Sequence, residues 1–427
     1  MPKKDANILA VGLTLNGITY HIQLTDIPSI YFIEDIYSFF ISGKMLLIDR
    51  EGLFEFGPFT GTEEDGVKVL YSTDDDSGGY ELDFKIFKIE KASDAFPIKT
   101  GTNNILQIIF VDKVFFKLTR QKWSRSFREK TIGEIIEHLC IHMLEIQLDV
   151  FNPPEQFFDL WYIPRWDINT CLRWLLARSS VGDDLSYLFY SNTKDGKFNY
   201  NCLSFNELLK TAPILDIDAD GGEYIFDAEN QYKSSKIKSW DISLIDESAL
   251  KNLQGCFGFG YDFEKKKLID SHDPIAPIIG ETPGNMFYTY KDMLEKHVTV
   301  LGDKSLFHDI SNPEAKFINY GESDPDIIKN LMGDDFVKRY NMQQLLTITV
   351  LGNQERYAGG MINVVWPSVS EPEKFNKNLK GLYLIKSITH SFQPKNTQCY
   401  TQKLVCIKNG YYDSDCAILE PAVQVRK

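Results

Sequence analysis

Between Ala6 and about Phe116 apolar and polar positions alternate with period two, in ILAVGLTL, ITYHIQL, YELDFKIFKI and ILQIIFV, with Gly, Asn and Asp between the runs. That period puts every second side chain on one face of a strand, so an all-β region is expected first. The period changes at Thr131. There a Thr-x-x-Glu capping box (Thr131, Glu134) opens a stripe of Ile132, Ile135, Ile136, Leu139 and Met143, which predicts a core-facing helix to about Ile146. Asp167 is placed to cap a second helix whose apolar positions are Ile168, Cys171, Leu172, Leu175 and Leu176, ending near 180 to 182. The following YLFYSNTKDGKFNYNCL turns back at Asp195 and Gly196 as a hairpin, and Ser204 with Glu207 caps one further helical turn.

Residues 211 to 285 are strand-like and Gly-rich. Farther on, Asp324 as N-cap, Pro325 at the first helical position and Gly333 past the end bracket a short helix carrying Ile327, Ile328, Leu331 and Met332. A second turn passes through Phe336, Val337 and Tyr340. From Leu345 the period returns to two in LLTITVLG, GGMINVVWP, GLYLIKSITHSF and YTQKLVCI, so a second all-β region is expected, with 411 to 427 as a tail. The two β regions share one echo: ISGKMLLID (41 to 49) and AGGMINVVW (358 to 366) each set Gly, a spacer and Met ahead of a strand.

With 427 residues and ~100 to 200 per domain, two to four domains are expected. The 43% apolar and 13% aromatic content exceeds what a disordered chain carries. The formal net charge of −14 disfavours affinity for nucleic acid built on bulk phosphate contacts. The seven cysteines (140, 171, 202, 256, 399, 406, 416) form no CxxC pair, so reduced, buried thiols are expected instead of a disulfide framework or zinc ribbon. The N-terminus lacks the apolar stretch of an export signal, and no apolar run approaches the ~18 residues of a membrane span.

Few motifs suggest chemistry. Asp216, Asp218 and Asp220 ahead of Gly221 alternate as the first ligands of a calcium loop do, and they are the metal candidates. The second half of such a loop fails, because Glu223 stands where an aliphatic residue belongs and Asp227 where a Glu does, so the pattern favours an acidic surface turn. His138 and His142 lie four apart on the first expected helix and could face one metal, but no third ligand can be named and a polar helix edge is the simpler reading. The glycines of GCFGFG (255 to 260) lack the strand and helix that bracket a phosphate loop and read as a strand with close backbone approach. The basic-aromatic LTRQKWSRSFREK (118 to 130) could contact single-stranded nucleic acid, yet in so acidic a chain a solvated connector or protein contact surface is expected. Arg165-Trp166 reads as packing and cap geometry. No Gly-x-Ser-x-Gly is present and no Cys-His pair has local support, so no catalytic residue and no cofactor is expected.

In order, however, five segments resemble the baseplate hub proteins of contractile-tailed bacteriophages, a family related to the N-terminal part of the VgrG spike proteins of type VI secretion. They are SIYFIEDIYSFFISGKMLLIDREGLFEFGPFTGTEE; QIIFVDKVFF with SRSFREKTIGEIIEHLC; YIPRWDINTCLRWLLARSS with YLFYSNTKDGKFNYNCLSFNELL; LQGCFGFGYDFEKKKL; and FVKRYNMQQLLTITVLGNQERYAGGMINVVWPS with GLYLIKSITHSF. The first matches the family's strand, Ser-Gly, strand and Pro-x-x-Gly-x-Glu turn at Pro58, Gly61 and Glu63 or Glu64. The third is the most specific, with its Pro, Trp-Leu, Arg-Ser and Leu-Phe-Tyr. The likeness spans about 30 to 408 and departs at 261 to 323 and at the acidic loop near 216.

The resemblance implies an α+β, mostly β chain with two similar tube-forming β-barrel domains and inserted α/β domains, assembling as a ring-shaped trimer. The division that follows is 1–116 for the first barrel, 117–210 for a helical, mixed domain, 211–245 for the start of the second barrel, 246–335 for more of the mixed domain, 336–410 for the rest of the second barrel, and 411–427 for the tail. It also implies a non-enzymatic virion protein of the tail baseplate, assembled in the host cytoplasm. Its homotrimer would join the hexameric tail tube protein to a trimeric central spike protein, contact baseplate wedge or tape-measure components, and let DNA pass during genome ejection. The alternative from another class is a baseplate-associated glycan hydrolase or carbohydrate-binding protein, which would need a contiguous ~100 residues with a core of their own.

Overall fold

Seven strands build the first β region: β1 (Asn7–Leu15), β2 (Ile18–Ile22), β3 (Ser29–Asp35), β4 (Ser42–Asp49), β5 (Gly66–Ser72), β6 (Tyr80–Lys91) and β7 (Asn104–Val111). They belong to a computed structural model that describes residues 7–50, 52, 64–72, 79–91, 104–182, 184–210, 223–225, 239–244, 256–262, 267–270, 316–319, 344–353, 355–365, 381–394 and 400–408, with isolated positions between 327 and 342. All seven pair antiparallel in the order β2-β1-β5-β6-β7-β4-β3. Burial alternates along β4, as its period-two sequence requires, and Val11, Phe32, Met45, Val69, Phe84 and Phe110 meet in one core. A Cβ on Gly43 would lie 2.2 Å from the Phe110 ring and 2.6 Å from the Tyr31 carbonyl, so the first glycine of the Gly-x-Met echo is a packing requirement.

The middle of the chain holds helix α1 (Val114–Arg120), strand β8 (Lys122–Thr131), helix α2 (Ile132–His138), strands β9 (Leu148–Phe151) and β10 (Phe157–Asp167), and helix α3 (Ile168–Leu176). Small strands β11 (Ser180–Val181) and β12 (Asp184–Leu185), the hairpin β13 (Tyr187–Asn192) and β14 (Asn199–Ser204), and helix α4 (Phe205–Leu209) follow. The caps stand where the sequence puts them. Thr131 and Glu134 form both halves of the capping box, Asp167 accepts from the Thr170 amide at 2.8 Å, and Ser204 accepts from Glu207. Helix α2 continues directly into a π-helical turn, Leu139–Leu144, which ends at Glu145 with positive φ. Two expectations change here. α1 occupies the end of what reads as strand, and 122–131 is a strand paired with β10 instead of a connector.

Strand β13 is buried on both faces. Tyr187 and Phe189 enter the core under α2 and α3, while Leu188 and Tyr190 enter a second core with Leu384 and Ile407. Its continuous apolar run is what two-sided burial demands.

The second β region contributes β15 (Glu223–Ile225), β16 (Ser239–Leu244), β20 (Gln344–Leu351), β21 (Met361–Val365), β22 (Gly381–Phe392) and β23 (Tyr400–Lys408), numbered after a separate sheet of β17 (Cys256–Asp262), β18 (Lys267–Asp270) and β19 (Lys316–Asn319). β17 confirms that the Gly-rich run is a strand. Both β regions belong to one 13-stranded sheet, whose path runs β16-β20-β23-β22-β3 and on through the first region to β2. It is open among the described residues. β22 is the seam: its residues 381–384 pair with β21, a bulge follows between Ile385 and Ser387, and residues 387–392 pair with β3. Residues 327, 330 and 331 are helical as expected, while the caps assigned to that helix lie outside the described residues.

Candidate functional site

Three segments distant in sequence converge on Glu34, a fully buried side chain on β3. Its Oε1 accepts from the Thr193 amide at 3.0 Å, from the Thr193 hydroxyl, and from His390 Nε2 on β22 at 3.1 Å; its Oε2 accepts from the Ala358 amide at 2.9 Å. On its other side His390 Nδ1 lies 2.7 Å from the Tyr400 hydroxyl, within hydrogen-bond distance. Gln402 then donates to the Tyr400 oxygen at 2.8 Å and to the Asn353 carbonyl at 2.7 Å, and accepts from Arg356 at 2.9 Å. Burial raises the Tyr400 pKa well above its ordinary value, so this hydroxyl keeps its proton. The arrangement is a satisfied polar junction tying β3, the turn of the β13–β14 hairpin and the 353–358 loop together. Gly359 belongs to it: its φ is +89°, and a Cβ there would lie 2.4 Å from the Tyr190 hydroxyl. The second glycine of the echo is therefore required for a reason different from that at Gly43.

A smaller clip joins the first β region to the middle domain. Tyr200 on β14 donates to the buried carboxyl of Asp112 at 2.8 Å and 3.0 Å, and the Val114 amide donates to the same group at 3.1 Å. Burial pushes the Asp112 carboxyl up to about 6, against the opposing pull of these donors.

Sequence inspection passes over the junction, though a signal exists. Glu34, His390 and Gln402 sit in the buried phase of their strands, alternating with Ile30 and Phe32, with Ile388 and Phe392, and with Leu404 and Cys406. Polar residues at core phase must find partners, and here they find one another.

His138 and His142 do come together, with ring centroids 4.6 Å apart. Among the described residues no group of three His, Cys, Asp or Glu converges as a metal site. Burial, then Arg125 and His142, lower the His138 pKa, which favours the neutral ring. The pair lines a cleft of about 440 Å³ between β8 and the helix, shared with Arg125, Arg128 and Ile141. Asp216, Asp218 and Asp220 lie outside the described residues. Arg165 has φ +54° at a bulge in β10, and Trp166 packs 6.2 Å from Trp174, in keeping with a packing role. Cys140, Cys171, Cys202 and Cys406 are free and buried, and burial pushes the Cys140 thiol up to about 12. No described helix is long and apolar enough to cross a membrane.

No protein-family profile matches the chain, and no curated protein does. Solved structures do. A tail protein from Neisseria meningitidis MC58 superposes with a TM-score of 0.53 at 11% identity, over 94% of this chain and 97% of that one. The prophage MuSo2 43 kDa tail protein from Shewanella oneidensis gives 0.51 at 10% identity, over 93% and 98%. Similarity at such identity is similarity of fold, and it extends over nearly the whole length of both partners. Both of these structural neighbours are tail proteins, one of them from a prophage, as the ordered motifs lead one to expect.

Proposed function

We propose that the chain is a structural, non-enzymatic component of a phage tail, the baseplate hub of a contractile tail. In this reading each chain supplies two similar tube barrels, three copies form a ring of pseudo-sixfold symmetry in the virion baseplate, and the ring joins the hexameric tail tube to a trimeric central spike. The observation that carries it is the match of nearly the entire chain, in both directions, to the fold of tail proteins. Two features support it. Among the described residues the large sheet is open, with β2 and β16 at the ends of its path, and edges of this kind suit heterologous pairing between copies, which closes into a ring when the rotation permits. Each β region also has a cluster of core residues of its own, and Phe392 and Tyr400 of β22 and β23 pack into that of the first region across the seam. The −14 charge per chain, repeated around a channel, would repel phosphate and let DNA pass without sticking.

Light scattering combined with negative-stain imaging of the purified chain tests this. The expected result is three times the chain's mass and rings with threefold symmetry. A strict monomer that cleaves peptidoglycan would sink the proposal and restore the hydrolase alternative.

A further inference from the structure

We propose that the cleft between β8 and the helix that follows it binds an extended, acidic polypeptide segment of a partner protein, which adds as a strand to the free edge of β8. Among the described residues β8 pairs only with β10. Arg125, Ser126, Phe127 and Arg128 all line the cleft, and consecutive residues of a strand point to opposite faces. A cavity lined by all four therefore meets the strand edge-on, where unpaired backbone groups are available for strand addition.

Charge selects the occupant. Lys130 is engaged by Glu134 at 2.6 Å, and Glu134 also serves the capping box. Among the described residues, neither Arg125 nor Arg128 enters a salt bridge, and Glu137 is the remaining acid on the cleft wall. Two guanidiniums and one carboxylate on the lining leave a local positive excess on a chain of net charge −14, complementary to acidic side chains. Ile141, 49% exposed, and Phe127, whose ring Arg125 overlies at 5.6 Å, supply an apolar wall against which alternate side chains can rest. His138 Nε2 is a buried polar atom without a partner and adds an unsatisfied group at the same wall. A long polyanion such as single-stranded DNA fits poorly, since repulsion from the rest of the chain grows with its length. Cations on a strand edge can also serve only to prevent pairing, and the test separates the two roles.

The probe is a fluorescein-labelled peptide of about eight residues alternating Glu and Val, followed by anisotropy on the full chain at low salt. Saturable binding is expected. The Lys-Val counterpart should bind at least about tenfold more weakly, as should the acidic peptide on an Arg125→Ser/Arg128→Ser protein whose thermal midpoint is unchanged. An acidic peptide N-methylated at alternate residues should lose binding, because strand addition needs its N–H groups. Equal binding of the methylated peptide, displacement by inorganic phosphate or oligo-dT, or no binding at all would overturn the proposal; the last outcome leaves the arginines as guards of the edge. None of these readouts depends on ring formation, so failure here and failure of the hub reading are distinct.

Discussion

Replacing Glu34 with Ala should open the junction between the two β regions and the middle domain. The carboxyl accepts from two backbone amides, Thr193 and Ala358, at 3.0 Å and 2.9 Å, and both are sealed from solvent. Each buried donor left without a partner costs ~1 to 3 kcal/mol, so the two together put the loss at roughly 3 kcal/mol before any cavity is counted. Since the donors lie 159 and 324 residues from Glu34 in sequence, the loss should appear where those segments dock. Hydrogen exchange by mass spectrometry reads this directly: peptides containing Thr193 and Ala358 should exchange about 150-fold faster, the equivalent of ~3 kcal/mol, while β5 and β6 stay protected. Glu34→Gln refines the test. With its amide oxygen kept toward Thr193 and His390, its NH₂ opposes the Ala358 amide, so Ala358 should lose more protection than Thr193. Glu81→Ala, which removes an exposed ion pair with Lys68, is the control and should cost less than ~1 kcal/mol. If Glu34→Ala changes exchange at Ala358 by less than about threefold, the reasoning that this junction fastens the halves is refuted.

Asp112 has a folded-state pKa above its unfolded value, so the folded chain binds more protons between about 4 and 6 and stability falls as pH rises through that window. The size is ~3 kcal/mol, and Asp112→Asn, which can still accept from Tyr200, should flatten this part of a urea-midpoint profile against pH. Gly359→Ala forces an L side chain to φ +89° beside Tyr190 and should destabilise by at least ~2 kcal/mol, with partial recovery in the Tyr190→Phe double variant, as measured by thermal unfolding. Thr131→Ala removes one half of the capping box and should cost ~1 kcal/mol in urea titration, with faster exchange confined to the first turn of α2.

Much of the fold is legible locally because the forces that make it act locally. Period-two runs become β4, β20 and β23, and Thr131, Asp167 and Ser204 cap helices because the orphan amides they satisfy are three residues away. The misreadings follow from the same physics. VFFKLTR continues an apolar run, and periodicity alone does not distinguish a short buried helix from a strand. KWSRSFREK shows almost no alternation because Phe127 is the only residue of β8 that is buried, and its strand conformation depends on pairing with β10, about thirty residues on.

By itself, then, the amino-acid sequence determined the class of this fold: two β regions around a helical middle, in an acidic chain whose cysteines form no CxxC pair. Tertiary structure alone decided that both β regions run through one sheet, that β22 divides its edge between β21 and β3, and that Glu34 finds His390 across 356 residues. A buried polar side chain must be partnered, and that demand is visible in the strand phase of Glu34, His390 and Gln402. Which partner satisfies it is set by how the sheet folds back, and no local pattern encodes that.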